Sequence, residues 1–282
     1  MGQDATILIC CHKHDYCYHG DGFFPIQVGK AVSSLDLPMQ GDDEGDNISA
    51  MTPYYCELTA HYWYWKNRPH TRYVGLCHYR RYFDFAHPVL PLRNVRIVPQ
   101  SAADGWLSGL PDLDKVFSRY DIVLAKRKVY PLSLRYDYAM YHIVNDISIL
   151  EEVIAELTPE YSKAFDEVIN CGNRLSHFNM FITRDIVFEE YSEWLFTILE
   201  EVGRRICISG YKDQARVFGY LAERLLNVYV RARKLKVKYV PVVKVSDAKE
   251  ISPLEDCVTT LRSAVVSQFF ILPKKLRKLL KG

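Results

Sequence analysis

Short apolar runs of strand length alternate along the chain with longer segments in which apolar residues recur at helical spacing. The strand-like runs are residues 6–11, 74–77, 120–125 and 177–183, followed by a pair at 236–245 that Pro241 splits. The helical segments are residues 53–66, 112–120, a segment opening at Ser133, 147–156, 160–170, 188–202 and 211–233. Strands that alternate with helices predict an α/β fold with a mostly parallel central sheet flanked by helices.

The stretch 73–83, Y-V-G-L-C-H-Y-R-R-Y-F, combines a buried-strand pattern with a polar exit. Gly75 would let a neighbouring backbone approach closely, and His78, Tyr79, Arg80 and Arg81 follow where the strand should end. Ligands of open α/β sheets bind outside the carboxyl ends of the strands, and paired guanidiniums suit phosphate or carboxylate. The alternative is that the two arginines pair with surface carboxylates.

Two further patterns place polar side chains where a substrate could meet them. Tyr138, His142 and Asp146 fall at i, i+4 and i+8 of the helical segment that opens at Ser133, hence on one face. That face is either a catalytic or substrate-holding edge, or a polar flank against solvent. Asn179 interrupts an apolar run, and a buried Asn needs a hydrogen-bond partner such as a ligand hydroxyl.

The acidic segment 41–49, G-D-D-E-G-D-N-I-S, offers several carboxylates within a few residues. Such a group could bind a divalent cation, but its order matches no EF-hand loop. A solvated loop is the favoured interpretation.

Composition excludes several classes of protein. A formal charge of +2 provides no global field for nucleic acid, and neither a dinucleotide fingerprint nor a P-loop follows the first strand. The 8 cysteines form no C-x-x-C pair, which favours reduced thiols in the cytoplasm. We expect no signal peptide and no membrane span. The 20 tyrosines suit ligands that combine apolar faces with hydroxyls, such as nucleosides and sugars.

A series of motifs then resembles one protein family. The motifs are G-D-N-I-S at 45–49, E-L-T at 57–59, W-K-N at 65–67, G-L-C-H-Y-R-R-Y-F at 75–83, F-N-M-F-I at 178–182 and R-V-F-G-Y-L-A-E-R at 216–224. Together they resemble a family of bacterial capsular and exopolysaccharide biosynthesis proteins. That family was long catalogued as a domain of unknown function, and its members, galactofuranosyltransferases among them, are treated as glycosyltransferases.

The resemblance implies a single GT-A-like, Rossmann-like catalytic domain at residues 1–245, and it assigns site residues. Its donor-diphosphate residues are Arg80, Arg81, His78 and Tyr79, its nucleotide residues His12, Lys13 and Asn47, and its sugar residues Tyr138, Asn179 and Asp213. Asp146, His142 and Glu57, in that order, are the candidates for the base that takes the acceptor proton.

The implied reaction moves a hexose, galactose or galactofuranose, from a UDP-sugar to a lipid-linked glycan. No cofactor is expected, and a metal is not favoured, because arginines stand where GT-A enzymes carry a metal-binding Asp-x-Asp. The rival hypothesis is a non-catalytic carbohydrate-binding or scaffolding subunit of the polysaccharide assembly machinery.

The C-terminal extension, residues 246–282, ends in L-P-K-K-L-R-K-L-L-K-G. Leu276, Leu279 and Leu280 recur at i, i+3 and i+4 among basic residues, a pattern typical of a helix that lies in a membrane interface. We therefore expect a cytoplasmic protein held at the inner face of the cell membrane by anionic lipids. A disordered basic tail, or a helix docked on the domain itself, is the alternative.

Overall fold

The computed structural model describes residues 4–69, 71–87, 94–107 and 109–247, together with 258, 261–262 and 265–266. The amphipathic segment of the C-terminal extension lies outside the described residues, so its predicted membrane contact stays a prediction.

The described residues form strands and helices in close alternation. The strands are β1 (Ala5–Cys11), β2 (Phe23–Gln27), β3 (Gln40–Gly41), β4 (Tyr73–His78), β5 (Arg81–Phe83), β6 (Val95–Val98), β7 (Ile122–Ala125), β8 (Lys128–Val129), β9 (Arg174–Leu175), β10 (Phe181–Arg184), β11 (Val237–Val240) and β12 (Val242–Val245). The α-helices are α1 (Thr52–Tyr55), α2 (Leu58–Asn67), α3 (Ala103–Trp106), α4 (Leu113–Phe117), α5 (Leu134–Tyr141), α6 (Val144–Leu157), α7 (Ser162–Phe165), α8 (Asp185–Arg205), α9 (Lys212–Ala215) and α10 (Val217–Ala232). Single 3₁₀ turns lie at Lys30–Val32, Ser49–Met51, Gln100–Ala102 and Pro159–Tyr161, and a π-helical turn at Asp166–Asn170.

The main sheet has the order β11-β7-β10-β4-β1-β2-β3. The neighbours β1, β2, β3 and β4 pair in parallel, as do β7 and β11, whereas β10 is antiparallel to both β4 and β7. Strand β12 pairs with β5 and β6 and extends the sheet beside the carboxyl end of β4. The predicted mostly parallel α/β sheet flanked by helices is confirmed.

Each face of the sheet supports its own core, because side chains alternate along a strand. In β1, Leu8 and Cys10 pack with the helices α2, α8 and α10, while Ile7, Ile9 and Cys11 pack with α4 and β12 on the other face. Both faces are therefore buried, which explains why β1 reads as an uninterrupted apolar run.

Gly75 lies in the central strand β4, between β1 and β10. A Cβ atom on Gly75 would lie 2.6 Å from the carbonyl oxygen of Phe181 and 2.9 Å from side-chain atoms of Ile7 and Ile182. The predicted close backbone approach is confirmed, since no larger residue fits between β1 and β10.

Three predicted elements are interrupted near the carboxyl edge of the sheet. The predicted helix 53–66 breaks at Cys56, which has φ 53°, and the predicted helix 211–233 breaks at Arg216. The strand predicted at 177–183 begins only at Phe181. These breaks depend on long-range contacts at the site, which local hydrophobic periodicity does not record. Strand β2 was not predicted, because its pattern includes Pro25.

Candidate functional site

The carboxyl edge of the sheet gathers side chains from five segments. Strand β1 runs into His12 and Lys13, β4 and β5 are joined by a tight hairpin at Tyr79 and Arg80, and the loop before β10 carries Phe178 and Asn179. The start of α2 brings Glu57, and the start of α10 brings Arg216. The polar exits of both β1 and β4 lie at this edge, where the site is predicted.

The β4–β5 hairpin fixes the two adjacent arginines in different surroundings. His78 and Arg81 pair across the turn, and Nε2 of His78 donates a 2.7 Å hydrogen bond to the carbonyl oxygen of Phe178. This bond ties the hairpin to the loop before β10 and assigns the proton to Nε2. Burial lowers the pKa of His78, which therefore favours the neutral ring at neutral pH.

Arg80 faces the loop that follows β1. Its Nε lies 3.7 Å from Oδ2 of Asp15, an oxygen that Lys13 also reaches at 3.2 Å. The guanidinium lies 4.9 Å from the ring centroid of Tyr79. An open cleft of about 540 Å³ borders Arg80 and Asp15, together with His14, Gln100, Val245, Ser246 and Asp247. One shared carboxylate leaves the pair of cations with an excess of positive charge.

Arg81 is more enclosed than Arg80 and forms no ion pair with any residue that the structure describes. Its guanidinium stacks on the ring of Phe178, with 4.7 Å between the guanidinium carbon and the ring centroid. Burial lowers the pKa of Arg81, while the nearby Glu57 opposes that change. A half-buried guanidinium without a close carboxylate is ready for an anionic ligand.

Arg216 is a third arginine at the same edge, and no role was predicted for it. Its Nε donates to Sγ of Cys56 at 3.2 Å, and its guanidinium lies 5.7 Å from the ring centroid of Tyr220. Burial lowers the pKa of His12, and the positive charges of Lys13, Arg80 and Arg216 lower it further. His12 thus feels the combined field of three cations that belong to three separate segments.

The loop before β10 is held in an unusual backbone conformation. Phe178 and Asn179 have φ values of 74° and 51°, a left-handed region that non-glycine residues seldom adopt. The amide Nδ2 of Asn179 donates to Oε1 of Glu57 at 2.7 Å and to the carbonyl oxygen of Gly219 at 3.1 Å. The amide orientation is therefore fixed, and Asn179 positions the Glu57 carboxylate at the centre of the edge.

Glu223 of α10 holds this loop by a hydrogen bond to its backbone. Its Oε1 accepts the backbone N–H of Phe178 at 2.8 Å, and its Oε2 lies 3.7 Å from Nδ1 of His177 and from Nη1 of Arg224. Burial by itself would raise the pKa of Glu223, but His177, Arg224 and the Phe178 N–H together lower it to about 2. The carboxylate is thus ionised at every physiological pH. His177 in turn makes a 2.7 Å hydrogen bond with the hydroxyl of Tyr130.

A second cluster of polar residues lies where α5, α6 and α10 meet. The helix that was predicted to carry Tyr138, His142 and Asp146 on one face ends at Tyr141, with His142 extended and Asp146 in the next helix. The single-helix prediction is wrong, because the chain turns at Ile143. The structure still groups the residues, since the His142 ring lies 4.7 Å from that of Tyr138 and 4.1 Å from that of Tyr220.

Two groups of this second cluster, Asp146 and His142, have strongly shifted pKa values. Burial raises the pKa of Asp146 to about 6, and its carboxylate accepts no hydrogen bond from the residues that the structure describes. Burial and the Arg224 charge lower the pKa of His142 to about 4. Asp146 is only 5% exposed. The cluster thus contains a carboxylate whose pKa of about 6 leaves it mostly ionised at neutral pH, and a neutral imidazole.

Two predicted residues are not brought to the carboxyl edge by contacts in the structure. Asn47 donates to the carbonyl oxygens of Asp43 and Gly45 within its own loop. That loop packs on the far end of α2, where Asp46 contacts Asn67. Asp213 is exposed in α9, near Tyr220.

The acidic segment 41–49 is only partly solvated, and Asp42 corrects the simple loop interpretation. Asp42 is fully buried, and its carboxylate accepts the N–H groups of Gly29 and Lys30 at 2.9 and 3.0 Å and the Ser49 hydroxyl at 2.5 Å. Across the described ranges, no group of three or more His, Cys, Asp or Glu side chains is arranged to hold a metal ion. Among those same residues, no helix is long and apolar enough to cross a membrane.

Comparison with known proteins identifies the family. Residues 6–234 match the model of the family described as Domain of unknown function (DUF4422). The chain belongs to this family. No curated protein matches the chain significantly.

A solved structure adds a chemical context. The protein is similar to WbbM, a bifunctional glycosyltransferase solved in its apo form, with 32% sequence identity and a TM-score of 0.78. The match covers 86% of this chain and 45% of WbbM, so the chain spans less than half of that bifunctional protein. The fold is thus that of a part of a glycosyltransferase.

Proposed function

We propose that this DUF4422 protein is a glycosyltransferase that moves a hexosyl residue from a nucleotide sugar to a glycan acceptor. The observation that carries the proposal is the convergence of Arg80, Arg81 and Arg216 on one edge of the sheet. The likeness to WbbM supports the same reaction class.

Glycosyl transfer breaks the bond between the anomeric carbon and the donor diphosphate, so negative charge develops on the leaving group. Arginines suit this charge because a guanidinium can give two parallel hydrogen bonds to phosphate oxygens. Arg81 has no ion pair among the described residues, and Arg80 shares Asp15 with Lys13. The site therefore holds unneutralised cations where the diphosphate would lie, with His12 and Lys13 toward the nucleotide.

The donor sugar would lie against Glu57 and Asn179. Asn179 fixes Oε1 of Glu57 by a 2.7 Å hydrogen bond, which leaves Oε2 to accept a sugar hydroxyl. Glu57 would thus contact the sugar, and Asn179, which was predicted to bind it, would act as a positioning residue for Glu57.

The base would be Asp146, the first of the three candidates. A base must lose its proton near neutral pH and regain one from the acceptor hydroxyl as the new bond to the anomeric carbon forms. The pKa of Asp146, raised to about 6 by burial, fits that task. The pKa of His142, lowered to about 4, makes the imidazole the weaker candidate. His142 would border the acceptor end of the site, and the fully buried Tyr138 packs behind it.

Within this proposal the donor is UDP-galactose or UDP-galactofuranose, and the acceptor is a lipid-linked glycan of capsule, O-antigen or exopolysaccharide synthesis. These specifics follow from the family resemblance. Charge neutralisation by the arginines also leads us to propose a reaction independent of divalent metal.

Ligand binding tests the proposal directly. We expect UDP to raise the Tm of the protein, because a ligand at about 100 times its Kd stabilises the native state by about 2.7 kcal/mol. Uridine, which lacks phosphates, should shift the Tm much less, and Arg81→Ala should abolish the difference between UDP and uridine. Screening GDP and CMP in parallel identifies the nucleobase that the site prefers.

An activity screen completes the test. UDP-galactose and UDP-galactofuranose would be incubated with a synthetic lipid-linked acceptor, and the product followed by mass spectrometry. Sugar binding without any nucleoside diphosphate binding would instead support the non-catalytic carbohydrate-binding subunit.

A further inference from the structure

Helix α5, the turn after it and the start of α6 carry large apolar and aromatic side chains that are exposed. Tyr136, Met140 and Tyr141 are 53%, 55% and 66% exposed, and Ile143 and Val144 follow at 37% and 51%. Tyr211, just before α9, is 81% exposed. We call these six residues the tyrosine face. Contiguous exposed apolar residues of this kind mark interaction surfaces.

The tyrosine face continues directly from the second cluster of the candidate site. The inner side of α5 buries Tyr138, whose ring contacts His142. Nε2 of Gln214, in α9, donates a 2.9 Å hydrogen bond to the carbonyl oxygen of Tyr141. This bond joins the two halves of the face, because Tyr211 lies one turn before Gln214 and its carbonyl oxygen accepts the N–H of Ala215 at 2.8 Å.

Charge and polarity indicate the kind of ligand. The exposed charges beside Tyr211 are Lys212 and Asp213, which cancel, so the face lacks the excess of cations that attracts an anionic membrane. Its aromatic rings and tyrosine hydroxyls lie beside the side-chain amide of Gln214 and the carboxylate of Asp213. Sugars need this combination, since their C–H faces pack on rings while their hydroxyls form hydrogen bonds.

We propose that the tyrosine face binds the sugar chain of the acceptor, beyond the residue that receives the transferred hexose. This inference rests on the proposed function, because it places the acceptor end of the site at His142 and Asp146. It assigns Tyr141 and Tyr211 as determinants of acceptor length and not of the chemical step.

The test compares Tyr141→Ala and Tyr211→Ala with Tyr239→Ala, a matched control on the edge strand β11 that is 38% exposed. The probes are methyl β-galactoside and a galactose tetrasaccharide, studied by saturation-transfer NMR and as soluble acceptors. We expect each face variant to weaken tetrasaccharide binding and raise its KM about 3- to 10-fold, the range for one aromatic contact. The KM of the monosaccharide should rise less, and the control should match the parent protein.

Equal KM changes for both probes, or tetrasaccharide binding unaffected by both variants, would overturn the inference. So would loss of co-sedimentation with vesicles of phosphatidylglycerol in these variants alone, because the face would then bind lipid. The NMR measurement needs no turnover. A protein that binds the tetrasaccharide through this face but binds no UDP would refute the proposed function and leave the sugar-binding face standing.

Discussion

Replacing Glu223 by Gln tests whether the buried carboxylate under the site is held by its charge. Gln has nearly the same shape and can still accept the Phe178 N–H through its amide oxygen. It cannot supply the negative charge that faces His177 and Arg224. The variant therefore separates electrostatic stabilisation from packing.

The magnitude follows from the pKa of Glu223, which falls from its ordinary 4.5 to about 2 in the folded protein. Each pH unit of that difference corresponds to about 1.36 kcal/mol, so the ionised carboxylate stabilises the fold by about 3 kcal/mol at neutral pH. Because the folded pKa is the lower one, this contribution is complete above pH ~4.5. It is lost as the pH falls through about 2.

The assay is urea unfolding of the parent protein and Glu223→Gln between pH 3 and pH 7. We expect the free energy of unfolding to drop by about 3 kcal/mol at pH 7 and by only about 1 kcal/mol at pH 3, where the unfolded glutamate is already protonated. Glu193→Gln is the matched control, since Glu193 is an exposed residue of α8. A loss at pH 3 as large as that at pH 7 would refute the electrostatic argument and assign the role of Glu223 to packing.

Four other predictions address the site and the C-terminus. Arg81→Ala and Arg216→Ala should each lower kcat on the order of 10²- to 10³-fold, as expected for loss of one charge-stabilising donor, while Arg204→Ala, a surface variant, should keep near-normal turnover. Asp146→Asn should abolish transfer yet raise the free energy of unfolding at pH 7 by up to about 3 kcal/mol, because the folded pKa of about 6 exceeds the ordinary 3.8. In the parent protein kcat/KM should fall below pH ~6, and a flat pH profile there would exclude Asp146 as the base. EDTA should leave turnover unchanged, whereas loss that Mn²⁺ or Mg²⁺ restores would contradict metal independence. Deleting residues 267–282 should release the protein from anionic liposomes in low salt without changing UDP binding, and equal co-sedimentation would count against the membrane-bound tail.

The sequence predicted the parts of the fold that depend on local pattern. Strands β1, β4 and β7 are continuous apolar runs buried on both faces, so their hydrophobicity marks them directly. The same reasoning placed Arg80 and Arg81 at an edge of the sheet, because polar residues directly follow the apolar run of β4 in the sequence.

The rest of the site depends on contacts between distant segments, and no local pattern reveals those. Arg216 directly precedes α10 and Glu223 lies within it, and in the sequence both resemble ordinary charges of a surface helix. In the structure Glu223 accepts the backbone N–H of Phe178 in the loop before β10, whereas Arg216 donates to Sγ of Cys56. The motif at 216–224 was the only signal for them, and it carried no chemistry until the fold brought it beside Glu57. Asn179 was predicted as a strand residue, but its backbone is left-handed. Its hydrogen bonds to distant partners impose that conformation, and no local pattern indicates them.

Backbone strain is concentrated where these distant segments meet. Among the described residues, the non-glycine positions with positive φ are Cys56, Phe178, Asn179 and Lys234, and the first three lie at the candidate site. Such conformations cost on the order of 1–3 kcal/mol each, and they persist only where their surroundings impose them.

Named hydrogen-bond partners hold each of these three residues, and Phe178 and Asn179 have two partners each. Cys56 accepts from Arg216, Phe178 is held through its N–H by Glu223 and through its carbonyl oxygen by His78, and Asn179 is held by Glu57 and Gly219. Every one of these partners is an ionisable side chain or a backbone group near the carboxyl edge. A fold that needed only stability could relax these positions with glycine. In the proposed function, the strained backbone serves to hold Glu57 and the arginines in place before any substrate binds.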